Sequence, residues 1–532
     1  MAMALRTSMT SAYRYGGILL HPTSLPGPHG SGDLGAAAFH FVDWLVAGGQ
    51  SLWQVLPLTG LGPGNSPYSS PSAFAGSELL INLESLQEAG WLTAADLAET
   101  PAFPEQHIDY AAVRPFRMDR LRRAAGRFFA SKKTRKHAAF VAFCADSSAW
   151  LDDYALFMAL DIAHQSANGT MWQDWPAALA HRQPDALREA ERTHAEEIGF
   201  WKFCQWCFFD QWAALKSYAN ENRIKIIGDL PIFVAAHSAD VWANPDLFDL
   251  DEDGQPRVVA GVPPDYFSDT GQRWGNPLYL WSAHAAEGYR WWVERMRQTM
   301  KLCDIIRIDH FRGFEAYWEI PAAAETAIDG KWQPGPGEAV FAAMRRELGD
   351  DLVDELGRLK IIAEDLGIIT PAVKKLRQDV GLPGMRILQF AFGDDARNPY
   401  LPHNYDANSV VYTGTHDNDT TCGWWQSLEP PEQDRVNAYL GVRSESADEL
   451  CWYLIRLAYA SVAQLCVIPM QDALALDTTH RMNQPSVGQG SWEWRYRWQQ
   501  VEPWHAERLA DLTVLYGRDH DSHRRDELDE EG

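Results

Sequence analysis

No uninterrupted apolar run in the 532 residues is long enough to cross a bilayer, and the first fourteen residues lack the apolar stretch of a secretory signal. The expectation is a soluble, cytoplasmic protein with no membrane partner. Positive charge is scarce: 47 Lys and Arg face 72 Asp and Glu, for a net charge of −25. That field repels polyanions and argues against nucleic acid as a partner, whereas a neutral ligand fits. Cysteine is sparse and odd in number, with seven scattered residues and no disulfide framework. The one C-x-x-C, Cys204-Gln-Trp-Cys207, has no second pair and sits among Phe200, Trp201, Phe203, Phe208 and Phe209. It reads as buried helix, ahead of a redox or zinc site. No G-x-G-x-x-G follows the first strand and there is no G-x-x-x-x-G-K-[ST] loop, which weighs against dinucleotide and phosphate chemistry. No H-E-x-x-H, spaced His pair or calcium loop accompanies His416-Asp-Asn-Asp419. Neither a cofactor nor a metal is implied.

What is present is a recurring punctuation. Eight short apolar runs read as strands buried on both faces: Gly17–His21, Trp53–Pro57, Ile224–Asp229, Asp304–Asp309, Leu359–Glu364, Met385–Phe390, Ser409–Thr413 and Leu465–Pro469. Between many of them lie amphipathic stretches such as Ala36 to Val46, Gly288 to Met300 and Leu450 to Leu465. Strand and helix in alternation imply an α/β protein with a parallel sheet, and a count of eight favours a closed (β/α)8 TIM barrel as one catalytic unit over residues 1–532. Two stretches exceed barrel loops. Residues 84–223, Ala- and Trp-rich, read as a mainly helical insertion between strands two and three. Residues 230–285, rich in Pro, Gly, Asp and aromatics, read as an irregular insertion after strand three. Barrel enzymes build their sites at the strands' C-terminal ends, so this second insertion should overhang the cleft. Residues 518–532 read as an acidic, solvated tail.

Three of these strands finish with acids in distinctive settings: Arg307-Ile-Asp309-His310, Ala363-Glu364-Asp365 and Thr415-His416-Asp417-Asn418-Asp419. Any one alone could be a helix cap or an ion-pair partner, but three on one rim point to chemistry. Cleaving an acetal between sugars requires one protonated carboxyl to give a proton to the leaving oxygen and one ionised carboxylate to meet the charge at the anomeric carbon. Arg307 is two residues before Asp309, so on an extended strand both point to the same face and the guanidinium can hold Asp309 ionised, as a nucleophile needs. Glu364, leaving an apolar strand end near other acids, can keep a raised pKa, as a proton donor needs. Aromatics in Gly/Pro-punctuated segments (Tyr68, Phe267 and Trp274) suit the apolar face of a pyranose ring.

Together these segments resemble the amylomaltase family, the 4-α-glucanotransferases or disproportionating enzymes of the α-amylase superfamily. The resemblance runs from Gly16-Gly-Ile-Leu-Leu-His-Pro-Thr-Ser-Leu-Pro-Gly27 through Ser66-Pro-Tyr68, Gly228-Asp-Leu-Pro-Ile-Phe-Val234, Ser238-Ala-Asp-Val-Trp242, Arg307-Ile-Asp-His-Phe-Arg-Gly313, Ala363-Glu-Asp-Leu-Gly367 and Gly414-Thr-His-Asp-Asn418 to Arg481-Met-Asn483. It implies Asp309 as nucleophile, Glu364 as general acid/base and Asp417 as the acid that holds sugar hydroxyls. It also implies substrate-binding positions at Tyr68, Asp229, Phe267, Trp274, Arg307, His310 and His416, and α-1,4-glucans and maltooligosaccharides as donor and acceptor. Where many relatives carry an acid before Ser-Ala-Asp-Val-Trp this chain has His237, which alters local hydrogen bonding. The resemblance favours transfer. An α-amylase-type hydrolase and a non-catalytic glucan-binding protein are the alternatives, because loop shape, not the acids, decides whether water is excluded.

Overall fold

The computed structural model describes residues 14–519 apart from 132–134, 165–168, 265–267, 355–356, 486 and 488–489. In chain order its strands are β1 (Tyr15–Leu19), β2 (Leu52–Gln54), β3 (Lys225–Pro231), β4 (Val258–Val262), β5 (Gln272–Pro277), β6 (Ile305–Asp309), β7 (Ala316–Pro321), β8 (Lys331–Pro334), β9 (Ile361–Ala363), β10 (Gly384–Ile387), β11 (Ser409–Tyr412) and β12 (Leu465–Pro469). Eight of them close in the order β1-β12-β11-β10-β9-β6-β3-β2, every neighbour parallel. The chain is a (β/α)8 barrel. The apolar runs make it so: Ile18, Ile226, Ile227, Ile306, Ile308, Ile361, Ile362, Val410, Val411 and Val467 are all essentially inaccessible, and branched aliphatics fit a pleated surface buried on both sides. In the barrel wall close approach requires glycine at Gly17, where a Cβ would stand 2.5 Å from the carbonyl oxygen of Leu52 on the adjacent strand.

Helices cover the outside. Arg290–Leu302 buries Trp292, Val293 and Met296 against the barrel, and Ala36–Ala47 buries Phe41, Val42 and Leu45. The helix expected from Leu450 to Leu465 is shorter, Ala447–Ala460. Ser461 turns to extended backbone, which frees Leu465 to begin β12. Between β2 and β3 the chain runs through several helices, among them Tyr110–Ala130, Ser148–His164 and the 27-residue Ala195–Glu221. Cys204 and Cys207 are buried in the last of these, and all seven thiols are unpaired. Two buried arginines stitch these elements to the barrel's edges. Arg117 reaches the Ile81 carbonyl and Asp33, and Arg495 reaches the carbonyls of Leu25, Gly27 and Pro104.

Two sequence expectations need correction. The stretch 230–285 is not irregular throughout, because it contains β4 and β5, and these join β7 and β8 in an antiparallel sheet of order β5-β4-β7-β8. The partners come from the segment after β6, so local pattern could not reveal the pairing, and β5 reads Gln-Arg-Trp-Gly-Asn-Pro, without apolar alternation. The tail does not begin at Arg518. That side chain is fully buried. Its guanidinium donates to the carbonyls of Tyr15, Tyr459, Ser461, Ala463 and Gln464 and so closes the β1/β12 corner of the barrel. Residues 520–532 lie outside the described residues. Arg518→Ala, which orphans several buried carbonyls at once, is expected to destabilise the protein by about 2–4 kcal/mol, seen as a lowered unfolding midpoint. An unchanged midpoint would show that the corner holds without it.

Candidate active site

The site grows from the register of two neighbouring strands. Asp229 on β3 pairs with Arg307 on β6, and Pro231 with Asp309. Alternation puts Arg307 and Asp309 on one face, toward the barrel's C-terminal mouth. Arg307 Nη1 donates to both oxygens of Asp229, at 2.8 and 2.7 Å, while Nη2 lies 3.0 Å from Asp309 Oδ1. Burial works against the Arg307 charge, but Asp229 and Asp309 outweigh it and keep the guanidinium protonated. The arginine is therefore shared, with Nη1 divided between the two Asp229 oxygens and Nη2 facing Asp309.

Asp229 is also held from above. Tyr68 Oη donates to Asp229 Oδ2 at 2.8 Å and lies 2.9 Å from His416 Nε2, with the two rings stacked at 5.3 Å and 13°. Since Tyr68 spends its proton on Asp229, it must accept from His416, which sets the tautomer with hydrogen on Nε2. The same Nε2 is 3.4 Å from Asp417 Oδ1. Burial, and then the neighbouring Asp229 carboxylate, push the Tyr68 hydroxyl pKa well above its ordinary value, so it stays a donor.

Glu364 follows β9 and faces Asp309 across the rim. Its Oε2 accepts from the backbone N–H of His310, and its Oε1 from that of Leu366, each at 2.7 Å. His310 reaches this position through a left-handed backbone, φ 57° and ψ 48°, uncommon for a residue with a side chain and typical of functional turns. Those two donors favour a charged Glu364. Burial, followed by the nearby Asp309, opposes them and prevails, raising the pKa to about 8. Asp309 is 30% open to the cleft, yet sits deep enough that desolvation is the strongest influence on it. With Asp229 and Asp417 adding to that and Arg307 opposing, its pKa rises less far, to about 6. The mouth thus holds two carboxyls whose environments separate them, one inclined to keep its proton near neutrality and one inclined to lose it.

Of the other positions named from sequence, Trp274 meets His310 edge-on at 4.8 Å, and His310 is kept neutral by burial and by Arg312, its pKa pushed down to about 3. Phe267 lies outside the described residues. His237 turns into the helical insertion. Its Nδ1 accepts from the Trp172 N–H, its Nε2 stands 2.8 Å from Asp161, and its ring packs among Phe157 and Trp175.

A family model described as 4-alpha-glucanotransferase matches residues 20–501. The chain belongs to the 4-alpha-glucanotransferase family. It is 49% identical over 502 residues to a 4-alpha-glucanotransferase of Thermus thermophilus, covering 93% of this chain and 97% of that protein. It is 47% identical to one from Synechocystis, covering 95% and 98%. The solved structure of an amylomaltase from Streptococcus agalactiae in complex with acarbose superposes with a TM-score of 0.90 at 38% identity, covering 95% of this chain and all of that one.

Sequence reasoning missed part of what holds this glucanotransferase site. Asn483 Nδ2 donates to Asp417 Oδ1 at 2.6 Å, and Arg481 Nη2 to the Asp417 carbonyl at 3.1 Å. Arg481-Met-Asn483 marked the end of the family resemblance, but nothing local in the sequence said that it grips Asp417. Trp492, also missed, holds a left-handed backbone at φ 68° and packs against Tyr68 and His416. The Tyr110 hydroxyl, from the helical insertion, donates to the Trp492 carbonyl at 2.9 Å. Asp229→Asn removes a negative charge that raises the Asp309 pKa and leaves Arg307 to pair with Asp309 alone. The acid limb of the activity–pH curve is expected to move to lower pH. A shift upward, or none, would show that Asp229 does not tune Asp309.

Proposed function

We propose that this protein transfers α-1,4-glucan segments from a donor chain to the 4-hydroxyl of an acceptor glucan or glucose, with Asp309 as nucleophile and Glu364 as general acid/base. The observation that carries this reading is the divergence of two carboxyls at one barrel mouth, Asp309 salt-bridged to Arg307 and Glu364 inclined to stay protonated. Family membership supports the choice of substrate.

In the first step Glu364 protonates the bridging oxygen as Asp309 attacks the anomeric carbon. The glycosidic bond breaks, the fragment on the oxygen leaves, and the remaining glucan is bound to Asp309 through an ester with inverted configuration. In the second step Glu364 takes the proton of the acceptor's 4-hydroxyl, the oxygen attacks from the vacated side and the ester breaks, so that the α configuration returns. Asp417, held by Asn483 and Arg481, binds sugar hydroxyls and steadies the charge that develops at the anomeric centre. Trp274, beside His310, forms part of a roof that disfavours water as acceptor. Protonation and carboxylate attack supply the whole reaction, so it needs no cofactor. We place the reaction in the cytoplasm. The unpaired thiols are in keeping with a reducing compartment, and among the described residues no helix is long and apolar enough to cross a membrane.

Three measurements test the proposal. Maltotriose should yield glucose together with longer oligomers, and products that are only shorter would replace transfer with hydrolysis. Asp309→Ala should lower kcat by several orders of magnitude with glucan affinity largely retained, and near-normal turnover would remove Asp309 from the nucleophile's role. Activity needs Asp309 ionised and Glu364 protonated, so kcat/KM should rise with pH through about 6 and fall through about 8. A profile still rising above pH 9 would contradict Glu364 as the acid.

A further inference from the structure

All but three of the 23 tryptophans are buried or half-buried; the exposed ones are Trp274, Trp332 and Trp504. Trp274 belongs to the site already described. Trp504 stacks on His505 at 3.8 Å on the remote helix Pro503–Leu515. Trp332 has no role in the chemistry above, yet it stands on β8, the edge strand of the small sheet, 38% exposed. Its cross-strand partner Trp318 packs against the small cluster of Val259, Ile320 and Ala327, while Trp332 keeps more than a third of its surface open.

The ring is nonetheless held in place. The Arg312 guanidinium lies 3.7 Å from its centroid, Trp318 meets it edge-on at 5.1 Å and 67°, and the indole of Trp318 is tied to the Ala327 carbonyl at 2.9 Å. Arg312 is buried three residues after Asp309, donates to the carbonyl of Ile368, and feels the charge of Glu364. Ile368, 49% exposed, is four residues past Glu364 on the loop that leaves β9. Arg312 therefore links the Trp332 ring to the backbone of the loop that follows Glu364, the loop on which the Ile368 side chain is exposed.

We propose that Trp332 and Ile368, backed by Arg312, form a distal subsite for the acceptor α-1,4-glucan. The inference rests on the functional reading given above. The acid/base must stand beside the oxygen that leaves and the hydroxyl that replaces it, so sugars reaching outward past Glu364 belong to the leaving fragment or the acceptor. A pyranose has one apolar C–H face, which loses water favourably against an aromatic plane. An acceptor long enough to reach Trp332 gains that contact, and glucose does not.

The test uses maltotriosyl fluoride as donor, because its leaving group places no sugar on the acceptor side. Rates of transfer to glucose and to maltotetraose are compared. In the wild-type enzyme kcat/KM should be higher for maltotetraose, and in Trp332→Ala that preference should fall by roughly five- to tenfold. Trp332→Tyr, which keeps a flat ring, should recover most of it. Ile368→Ser, a change on an exposed loop, should lower the preference by a smaller factor and serves if Trp332→Ala does not accumulate folded. A wild-type enzyme without the preference, a variant that keeps it, or an equal loss toward both acceptors would overturn the subsite. Fluoride release with water as the sole acceptor in the wild type would instead defeat the transferase reading itself, a result distinct from failure of the subsite alone.

Discussion

One buried guanidinium organises this site. Arg307 is buried and satisfies its charge with two carboxylates, Asp229 on the neighbouring strand and Asp309 on its own. A buried ion pair is an uncertain source of stability, because desolvating the charges costs as much as their attraction returns. What it supplies here is geometry. The arginine couples the register of β3 and β6 to the position of the Asp309 carboxylate, and through Asp229 to Tyr68, His416 and Asp417.

This chain of contacts makes the two reacting carboxyls different. Asp309 and Glu364 are both desolvated, and burial pushes both pKa values up. Asp309 pairs with Arg307 in contact; Glu364 feels that guanidinium only through its field and accepts from two backbone N–H donors, those of His310 and Leu366. A full positive charge stabilises an anion more than two peptide dipoles do, so the protons distribute as a double displacement requires.

Much of this was legible before folding. The eight strands, the strand-end acids and the common face of Arg307 and Asp309 follow from local rules of alternation and burial, which act between residues a few positions apart. The pair of strands inside 230–285 was not read from sequence, because β5 carries no apolar alternation and β4, though a short apolar run, pairs with β7 from the segment after β6. Arg518 looked like the start of a charged tail for a related reason. An arginine beside acidic residues gives no sign that carbonyls of distant segments will converge on it.

The amino-acid order by itself determined the barrel, the set of acids at its strand ends and the family resemblance, since each depends on short-range pattern or on motifs read directly. Tertiary structure alone decided how Arg307 is divided between Asp229 and Asp309, that Asn483 and Arg481 grip Asp417, and that Trp332 stands beside the loop after Glu364. Those facts depend on which segments become neighbours once the barrel closes, bringing together groups such as Asn483 and Asp417 that are 66 residues apart in sequence. No pattern confined to one stretch of chain records the register of another.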